Sequence, residues 1–221
     1  MLAKINKVIK LFVISDFLLF MGWGFISPIF SLFVLYQIEG ATIVTVGIGT
    51  AVYWFFRSVI QPPTAYFLDK HKGEKDDLYA LIVALVVVGF ASLELATVVS
   101  EIHLYLIQII HGAAFGIYSV AWPSIFSRHM DKGMVAVDWS LDRSSVGMAV
   151  AITSIGGAAM AEALGFPAVF ILAGIMTIGS ALILLFAPKL ILPHEKNPSR
   201  DVTVLRARAE RKHRYRTTVG L

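Results

Sequence analysis

The segment LYALIVALVVVGFASLELATVV, residues 78–99, decides what kind of fold this chain has. Glu94 is its single charged residue. An α-helix rises about 1.5 Å per residue, so about 20 apolar residues cover the roughly 30 Å of hydrocarbon in a bilayer. The segment therefore predicts a helix that spans a membrane.

The rest of the chain repeats this pattern. It is 57% hydrophobic and 15% charged, and its mean hydropathy of +0.75 exceeds that of water-soluble domains. Residues 1–187 predict an all-α integral membrane domain with six transmembrane helices, and residues 188–221 predict a basic cytoplasmic tail. The helices are predicted near residues 11–36, 41–68, 78–99, 102–126, 139–163 and 167–187.

Basic residues mark one side of this domain. Apart from Arg57 and Arg143, every Lys and Arg lies in the N-terminal segment, in the second or fourth gap between helices, or in the tail. Because cytoplasmic loops carry the excess of Lys and Arg, both termini are predicted in the cytoplasm, at a plasma membrane of bacterial type. The tail is expected to bind anionic lipids and no nucleic acid, since no readout module accompanies its charge.

Patterns for catalysis and metal binding are missing from the sequence. The absence of cysteine excludes disulfides, thiolate catalysis and thiolate metal sites. Neither an HExxH zinc motif nor a GxSxG elbow occurs. We therefore expect no enzyme activity, no metal site and no cofactor.

Three stretches resemble parts of one transporter family. They are QPPTAYFLDKHKGEKDDL at residues 61–78, IIHGAAFGIYSVAWPSIFSRH at 109–129 and VGMAVAITSIGGAAMAEALGFPAVF at 146–170. The first resembles motif A of the major facilitator superfamily, GxxxDRxGRRxxL, with Ala65 in place of its first glycine. The second is similar to the glycine-rich helix 4 of that family, and the third to its helix 5 and the turn into helix 6. The Gly-Pro pair of antiporters is absent from helix 5, which leaves the direction of transport open.

The resemblance implies one half of a transporter. Members of the family have twelve helices in two parallel halves, and each half holds a 3+3 inverted repeat. In this chain SPIFS at Ser27 matches PSIFS at Pro123, as such a repeat predicts. We expect a parallel homodimer in which a second copy supplies the other half, with a separately encoded partner half as the alternative.

Polar residues within the predicted helices are candidates for a substrate and coupling site, because charges in a membrane usually face a bundle interior or a wet cavity. Arg57 shares a helix face with Tyr53 and Gln61 near the midplane. It either binds an anion or a coupling group, or ties two helices together. Asp16 shares a face with Trp23 and is predicted to pair with Arg57, and to take up a proton when the two separate. The alternative for Asp16 is exposure to cytoplasmic water.

His111 on helix 4 completes the candidate set. Imidazole titrates near physiological pH, which suits a proton relay or a neutral hydrogen bond to a solute, with a packing role as the alternative. Tyr118 and Trp122 share its helix face. Asp142 at the start of helix 5 favours a structural role at a helix N-terminus.

Motif A implies a cytoplasmic gate. In the family, its Asp approaches the cytoplasmic end of a helix in the opposite half. Asp69 is therefore expected to approach the start of helix 5 in the second copy, with Arg128 nearby. Lys70 and Gly73 belong to the same motif. A plain helix stop is the alternative reading of Asp69.

The resemblance to the major facilitator superfamily, together with the polar residues in the helices, implies a secondary active transporter of small solutes that acts as a homodimer by alternating access. Proton coupling and an anionic or amphipathic substrate are the favoured details. The alternative is a membrane interaction or assembly protein that has the shape of half a transporter and does not transport.

Overall fold

The computed structural model describes residues 5–70 and 74–187, and every regular element within these ranges is helical. Six of the helices are long and apolar enough to cross a membrane, which confirms the predicted all-α membrane fold. The predicted tail, residues 188–221, lies outside the described residues. The helices are α1 Lys7–Ile26, α2 Phe30–Gln37, α3 Ile43–Lys70, α4 Lys75–Glu94, α5 Glu101–His129, α6 Val135–Leu164 and α7 Phe166–Leu184.

The first predicted helix, near residues 11–36, needs a correction because it is two helices. α1 begins at Lys7, since the side chain of Asn6 accepts a hydrogen bond from the backbone N–H of Val8 and caps the helix. α1 ends at Ile26, and Pro28 lies between it and α2. A proline has no N–H to donate, and its ring collides with the carbonyl of the preceding turn, so the helix is interrupted there.

The helices pack in a regular set of pairs. α1 packs against α6 and α7, α3 packs against α5, and α4 packs against α5 and α7. In their membrane-length windows, only 17% of the residues of α3 and of α6 are buried inside the chain, against 56% for α1, α4 and α5. Most of the surface of α3 and of α6 is therefore not covered by other helices of this chain.

Glycines set the distance between two of these pairs. A Cβ at Gly112 of α5 would collide with the backbone of Tyr53 on α3, and one at Gly116 would lie 2.8 Å from the carbonyl oxygen of Arg57. Similarly, a Cβ at Gly24 of α1 would lie 2.9 Å from the Cα of Val150 on α6. Because small residues let helix backbones approach closely, these contacts hold α3 on α5 and α6 on α1.

The buried apolar side chains form two clusters along the helices. One includes Phe12 and Phe126 and fills the end of the bundle where α1 begins, and the other includes Phe33 and Phe170 and fills the end where α1 finishes. His111 lies on α5 between residues of the two clusters. The polar residues of interest are therefore placed near the middle of the bundle.

Candidate functional site

A cavity of about 130 Å³ lies between α1, α3 and α5, near the middle of the bundle. Its wall combines aromatic rings with a few polar groups. Sequence reasoning had selected Trp23, Tyr53 and His111, and the structure brings these three together. The wall also includes Ser27, Trp54 and Gln108, which had not been selected.

His111 is the most unusual residue in this wall. Its side chain is buried, and its Nε2 atom has no hydrogen-bond partner among the described residues. Its ring lies 5.7 Å from that of Tyr53, 6.0 Å from Trp23 and 5.3 Å from Phe115, measured between centroids. Since buried polar atoms are nearly always hydrogen-bonded, this nitrogen is available to a molecule in the cavity.

Arg57 lies on α3 one turn from Tyr53. Its Nε and Nη2 atoms donate to Ser119 Oγ at 3.2 and 2.9 Å, and its Nη1 donates to the hydroxyl of Tyr53 at 3.3 Å. The guanidinium also stacks 4.7 Å from the centroid of the Trp54 ring. No carboxylate pairs with Arg57 in the described part of the chain. The site thus contains a permanent cation whose hydrogen-bond partners are all neutral.

The predicted pair between Asp16 and Arg57 does not form in the structure. The Asp16 side chain is buried, and one of its oxygens accepts a hydrogen bond from the hydroxyl of Tyr118. The carboxyl of Asp142, also fully buried, lies close enough to interact with that of Asp16. The separation follows from the packing: α6 covers the face of α1 that carries Asp16, whereas Arg57 is directed at α5.

Trp122 and Gln61 lie outside the cavity wall. Trp122 is buried against Phe126 at 4.5 Å between ring centroids, and it belongs to the apolar cluster at the start of α1. Gln61 is half-buried on α3, one turn from Arg57 toward Lys70. Neither residue lines the cavity, and the same is true of Tyr118 and Arg57. Arg57 lies beside the cavity, in contact with its wall residues Tyr53 and Trp54. The candidate site is therefore smaller than the set that the helix faces predicted.

Arg128, which is predicted to lie near the gate, forms ion pairs within the chain. Arg128 contacts the buried carboxylate of Asp77 and lies 3.7 Å from Glu74, so it ties α5 to the start of α4 within one chain. Asp69 and Lys70 are exposed at the end of α3, and no ion pair joins Asp69 to Arg128. Gly73 lies outside the described residues.

Comparisons with known proteins identify the family. Residues 12–218 match the model of the Major Facilitator Superfamily. This chain belongs to the major facilitator superfamily. Its structure is similar to one described as the in meso crystal structure of the POT family transporter PepTSo, with a TM-score of 0.68 at 13% sequence identity. That match covers 88% of this chain and 40% of the PepTSo chain. A comparison with curated protein sequences gives no match.

Membership of the superfamily makes this chain a transporter-family protein embedded in a membrane. The described residues contain six membrane-length helices, and the match spans less than half of the PepTSo chain. In superfamily terms, α3 is helix 2, α5 is helix 4 and α6 is helix 5. The cavity therefore lies among helices 1, 2 and 4 of one six-helix unit.

Asp142, Gln108 and Ser27 are candidate functional residues that the sequence did not predict. The sequence predicts a structural role for Asp142 at a helix N-terminus, yet this residue faces Asp16 across the contact between α1 and α6. A signal was present in the sequence: both acids lie near the predicted cytoplasmic end of a helix, Asp16 five residues after residue 11 and Asp142 three residues after residue 139. No such signal distinguishes Gln108 or Ser27, because uncharged polar residues are common in membrane helices.

Proposed function

We propose that this chain is a secondary active transporter of small anionic or amphipathic solutes, which works as a parallel homodimer by alternating access. The observation that carries the proposal is the environment of Arg57. Within the described residues this permanent cation, which lies in a membrane-length helix, has only neutral partners. It lies beside a cavity lined by His111, whose Nε2 atom has no partner in the same residues.

The hydrogen bonds of Arg57 support an anionic substrate. A guanidinium has five N–H donors, and the side chains of Ser119 and Tyr53 accept from three of its atoms. Donors and a full positive charge remain for another group. An uncompensated charge in a membrane is costly, so a carboxylate or phosphate of the solute would stabilise the site.

The cavity supports an apolar part in the same solute. Trp23, Tyr53 and Trp54 supply aromatic surface, while His111 and Gln108 supply hydrogen-bonding atoms. Small-molecule sites commonly combine apolar walls with a few polar groups that fix orientation. A small aromatic carboxylate, with its ring in the cavity and its charge at Arg57, satisfies both features.

The exposed surfaces of α3 and α6 support the homodimer. Gly47 on α3 and Gly147 on α6 lie on exposed faces, and a Cβ added at either would meet no atom within 4 Å. The halves of superfamily members are related by an axis along the membrane normal. A second copy, placed in parallel, would cover these faces and put the Arg57 cavities on the two sides of one central space.

Alternating access then requires the two copies to rock against each other. In this proposal both termini face the cytoplasm, and Asp69 at the end of α3 meets the start of α6 in the second copy. The contact of Arg128 with Asp77 keeps α4 and α5 moving as one body during this motion. Protons drive the cycle through Asp16, and the basic tail holds anionic lipid.

The buried hydrogen bond between Asp16 and Tyr118 favours a second candidate function, that of a membrane assembly protein that does not transport. Under that reading each buried charge has a fixed internal partner and no route to water. The environment of Arg57 argues against it, because a purely structural arginine in a membrane is expected to have a carboxylate or backbone carbonyls as partners.

Two measurements test the proposal in nanodiscs. The first is crosslinking between differently tagged copies that carry Asp69→Cys and Ser140→Cys, in a chain that has no other cysteine. Asp69→Cys with Ile102→Cys is the control, because Ile102 lies on the exposed surface at the opposite end of the bundle. A crosslink in the first pair alone supports the parallel dimer, and its absence overturns it.

The second measurement is binding of radiolabelled benzoate, followed by its uptake into proteoliposomes. We expect Arg57→Gln to abolish binding and Lys132→Gln, a change of equal charge at an exposed loop position, to leave it intact. Equal binding by the two variants would overturn the anion site.

A further inference from the structure

The carboxyls of Asp16 on α1 and Asp142 on α6 lie together inside the protein. The residues are 1% and 0% exposed, so bulk water does not reach either one in this conformation. Asp16 is the ninth residue after Lys7, where α1 begins, and Asp142 is the seventh residue after Val135, where α6 begins. At about 1.5 Å per residue, both lie on the order of 10 Å or more inside their parallel helices.

Hydrogen bonding around the pair is incomplete. One oxygen of Asp16 accepts from the Tyr118 hydroxyl, while its Oδ2 has no donor among the described residues. Neither oxygen of Asp142 has a hydrogen-bond donor in the same part of the chain. Three buried carboxyl oxygens thus lack donors, which is unusual because such atoms are nearly always satisfied.

The charges that face the pair do not balance it. Tyr118 approaches from α5, and within residues 5–70 and 74–187 the only cation that interacts with the pair is Arg143, the neighbour of Asp142 on α6. Its Nε lies 3.5 Å from Asp142 Oδ2, and its side chain is 60% exposed, with the guanidinium 5.4 Å from the centroid of Trp139. One exposed cation beside two buried carboxylates leaves a negative charge without compensation.

We propose that Asp16 and Asp142 hold one proton between them, and that this carboxyl pair, separate from the cavity at Arg57, is the proton site of the transporter. On uptake, a proton forms an O–H bond on one carboxyl, which donates a hydrogen bond to an oxygen of the other. One negative charge is removed, and Arg143 balances the charge that remains. On release, both carboxyls are ionised, and the repulsion between them favours parting of α1 from α6.

Packed aromatic rings connect this pair to the Arg57 cavity. The ring of Tyr118, whose hydroxyl binds Asp16, packs 5.6 Å from that of Phe115. Phe115 in turn packs 6.0 Å from Tyr53, and its ring centroid lies 5.6 Å from the guanidinium carbon of Arg57. A change in the position of Tyr118 on protonation therefore reaches the solute-binding residues through a single intervening side chain.

The role of this proton in transport rests on the proposed function, but the proton itself is measurable without a substrate. Infrared difference spectroscopy on the full chain in nanodiscs detects the C=O stretch of a protonated carboxyl, which shifts in D₂O. We expect one such band from this pair at neutral pH. Asp16→Asn and Asp142→Asn should each remove the same band, because either amide can donate to the remaining carboxylate and replace the proton.

Asp138→Asn is the matched control. Asp138 is also fully buried on α6: one of its oxygens accepts the backbone N–H of Asp131 at 2.8 Å, and the other has no partner among the described residues. Unlike Asp142, it does not interact with Asp16. We expect this variant to keep the band. Asp142→Glu should keep the band at a shifted frequency, which shows that loss of the band in Asp142→Asn is not misfolding.

Three results would overturn the proposal: no protonated carboxyl band in the unmodified chain, a band that survives Asp142→Asn, or a band whose titration shifts with sodium concentration. The last result would assign the pair to a metal cation. If the band behaves as expected while benzoate neither binds nor enters vesicles, the transport proposal fails and the proton site stands. If uptake occurs without the band, only the proton site fails.

Discussion

The Nη2 atom of Arg57 lies 2.9 Å from the hydroxyl oxygen of Ser119, on the neighbouring helix α5. Ser119 also donates to the backbone carbonyl of Phe115 at 2.7 Å, so its hydroxyl oxygen is fixed in place. The close packing of α3 on α5 at Gly112 and Gly116 brings the two residues together. A neutral hydroxyl therefore orients the arginine while its positive charge stays uncompensated.

Ser119→Ala should weaken benzoate binding without abolishing it. The change removes the hydroxyl that accepts from Nε and Nη2 of Arg57, which frees the guanidinium to move away from Tyr53 and Trp54 in the cavity wall. If the loss of this orienting hydrogen bond reduces the free energy of benzoate binding by about 1 kcal/mol, binding becomes roughly fivefold weaker. Ser127→Ala, at an exposed serine on the same helix, is the control and should bind benzoate normally. Unchanged affinity in Ser119→Ala would show that Arg57 does not depend on this contact.

Arg57→Lys should fall between the unmodified chain and Arg57→Gln in benzoate affinity. Lysine keeps the positive charge but lacks the planar fork that bonds Ser119 and Tyr53 and leaves donors for a carboxylate. We expect affinity to drop by about tenfold, the equivalent of roughly 1.4 kcal/mol. Scintillation proximity with labelled benzoate measures it. Full affinity in the lysine variant would mean that charge alone, and not bidentate geometry, binds the anion.

His111→Phe should raise thermal stability and lower benzoate affinity together. The substitution replaces a buried nitrogen that has no partner among the described residues by carbon in a ring that suits the surrounding aromatic groups. Removing an unsatisfied buried polar atom should raise the free energy of unfolding by about 1 kcal/mol or more. Unfolding temperature and binding are measured on the same sample. Loss of stability with normal binding would assign His111 to packing.

The sequence was sufficient for the fold because the membrane imposes a strong constraint on it. A spanning helix must hydrogen-bond its own backbone polar groups and be about 20 residues long. Apolar runs such as residues 78–99 are therefore easily recognised. The interruption near Pro28 followed the general rule for proline, yet α3 continues through Pro62 and Pro63. The effect of a proline in a membrane helix depends on neighbours that one sequence does not reveal.

The site was harder to predict. Residue spacing shows which side chains share one face of a helix, but it does not show how that helix is rotated relative to its neighbours. Trp23, Tyr53 and His111 were selected from their own helices and do meet at one cavity. The sequence places Arg57 higher in the membrane than Asp16, but the long arginine side chain could span part of that distance, and the opposite charges made a pair plausible. Glycine contacts instead turn Arg57 toward Ser119, and the packing of α6 on α1 places Asp142 beside Asp16.

Arg128→Gln should destabilise the chain, and a second change should restore most of the loss. The Asp77 carboxylate is 1% exposed and its partner Arg128 is 38% exposed, so removal of the arginine leaves a buried charge unpaired. We expect the free energy of unfolding to fall by about 1–3 kcal/mol, allowing for water around Arg128. Asp77→Asn combined with Arg128→Gln should lose less than the sum of the two single changes. Additive losses, measured by thermal unfolding in nanodiscs, would contradict a direct pair.

Gly147→Leu should separate the proposed dimer without unfolding the single chain. A side chain at Gly147 meets no atom within 4 Å in its own chain, so it would collide only with the partner that covers this face of α6. Gly112→Leu is the matched change inside the bundle: its side chain would collide with the backbone of Tyr53, and we expect loss of the folded protein. Mass photometry in nanodiscs gives the ratio of one to two copies, and circular dichroism reports folding. A folded Gly147→Leu variant that remains dimeric would show that the copies do not meet through this face, and the central site would then need a different arrangement of the two halves.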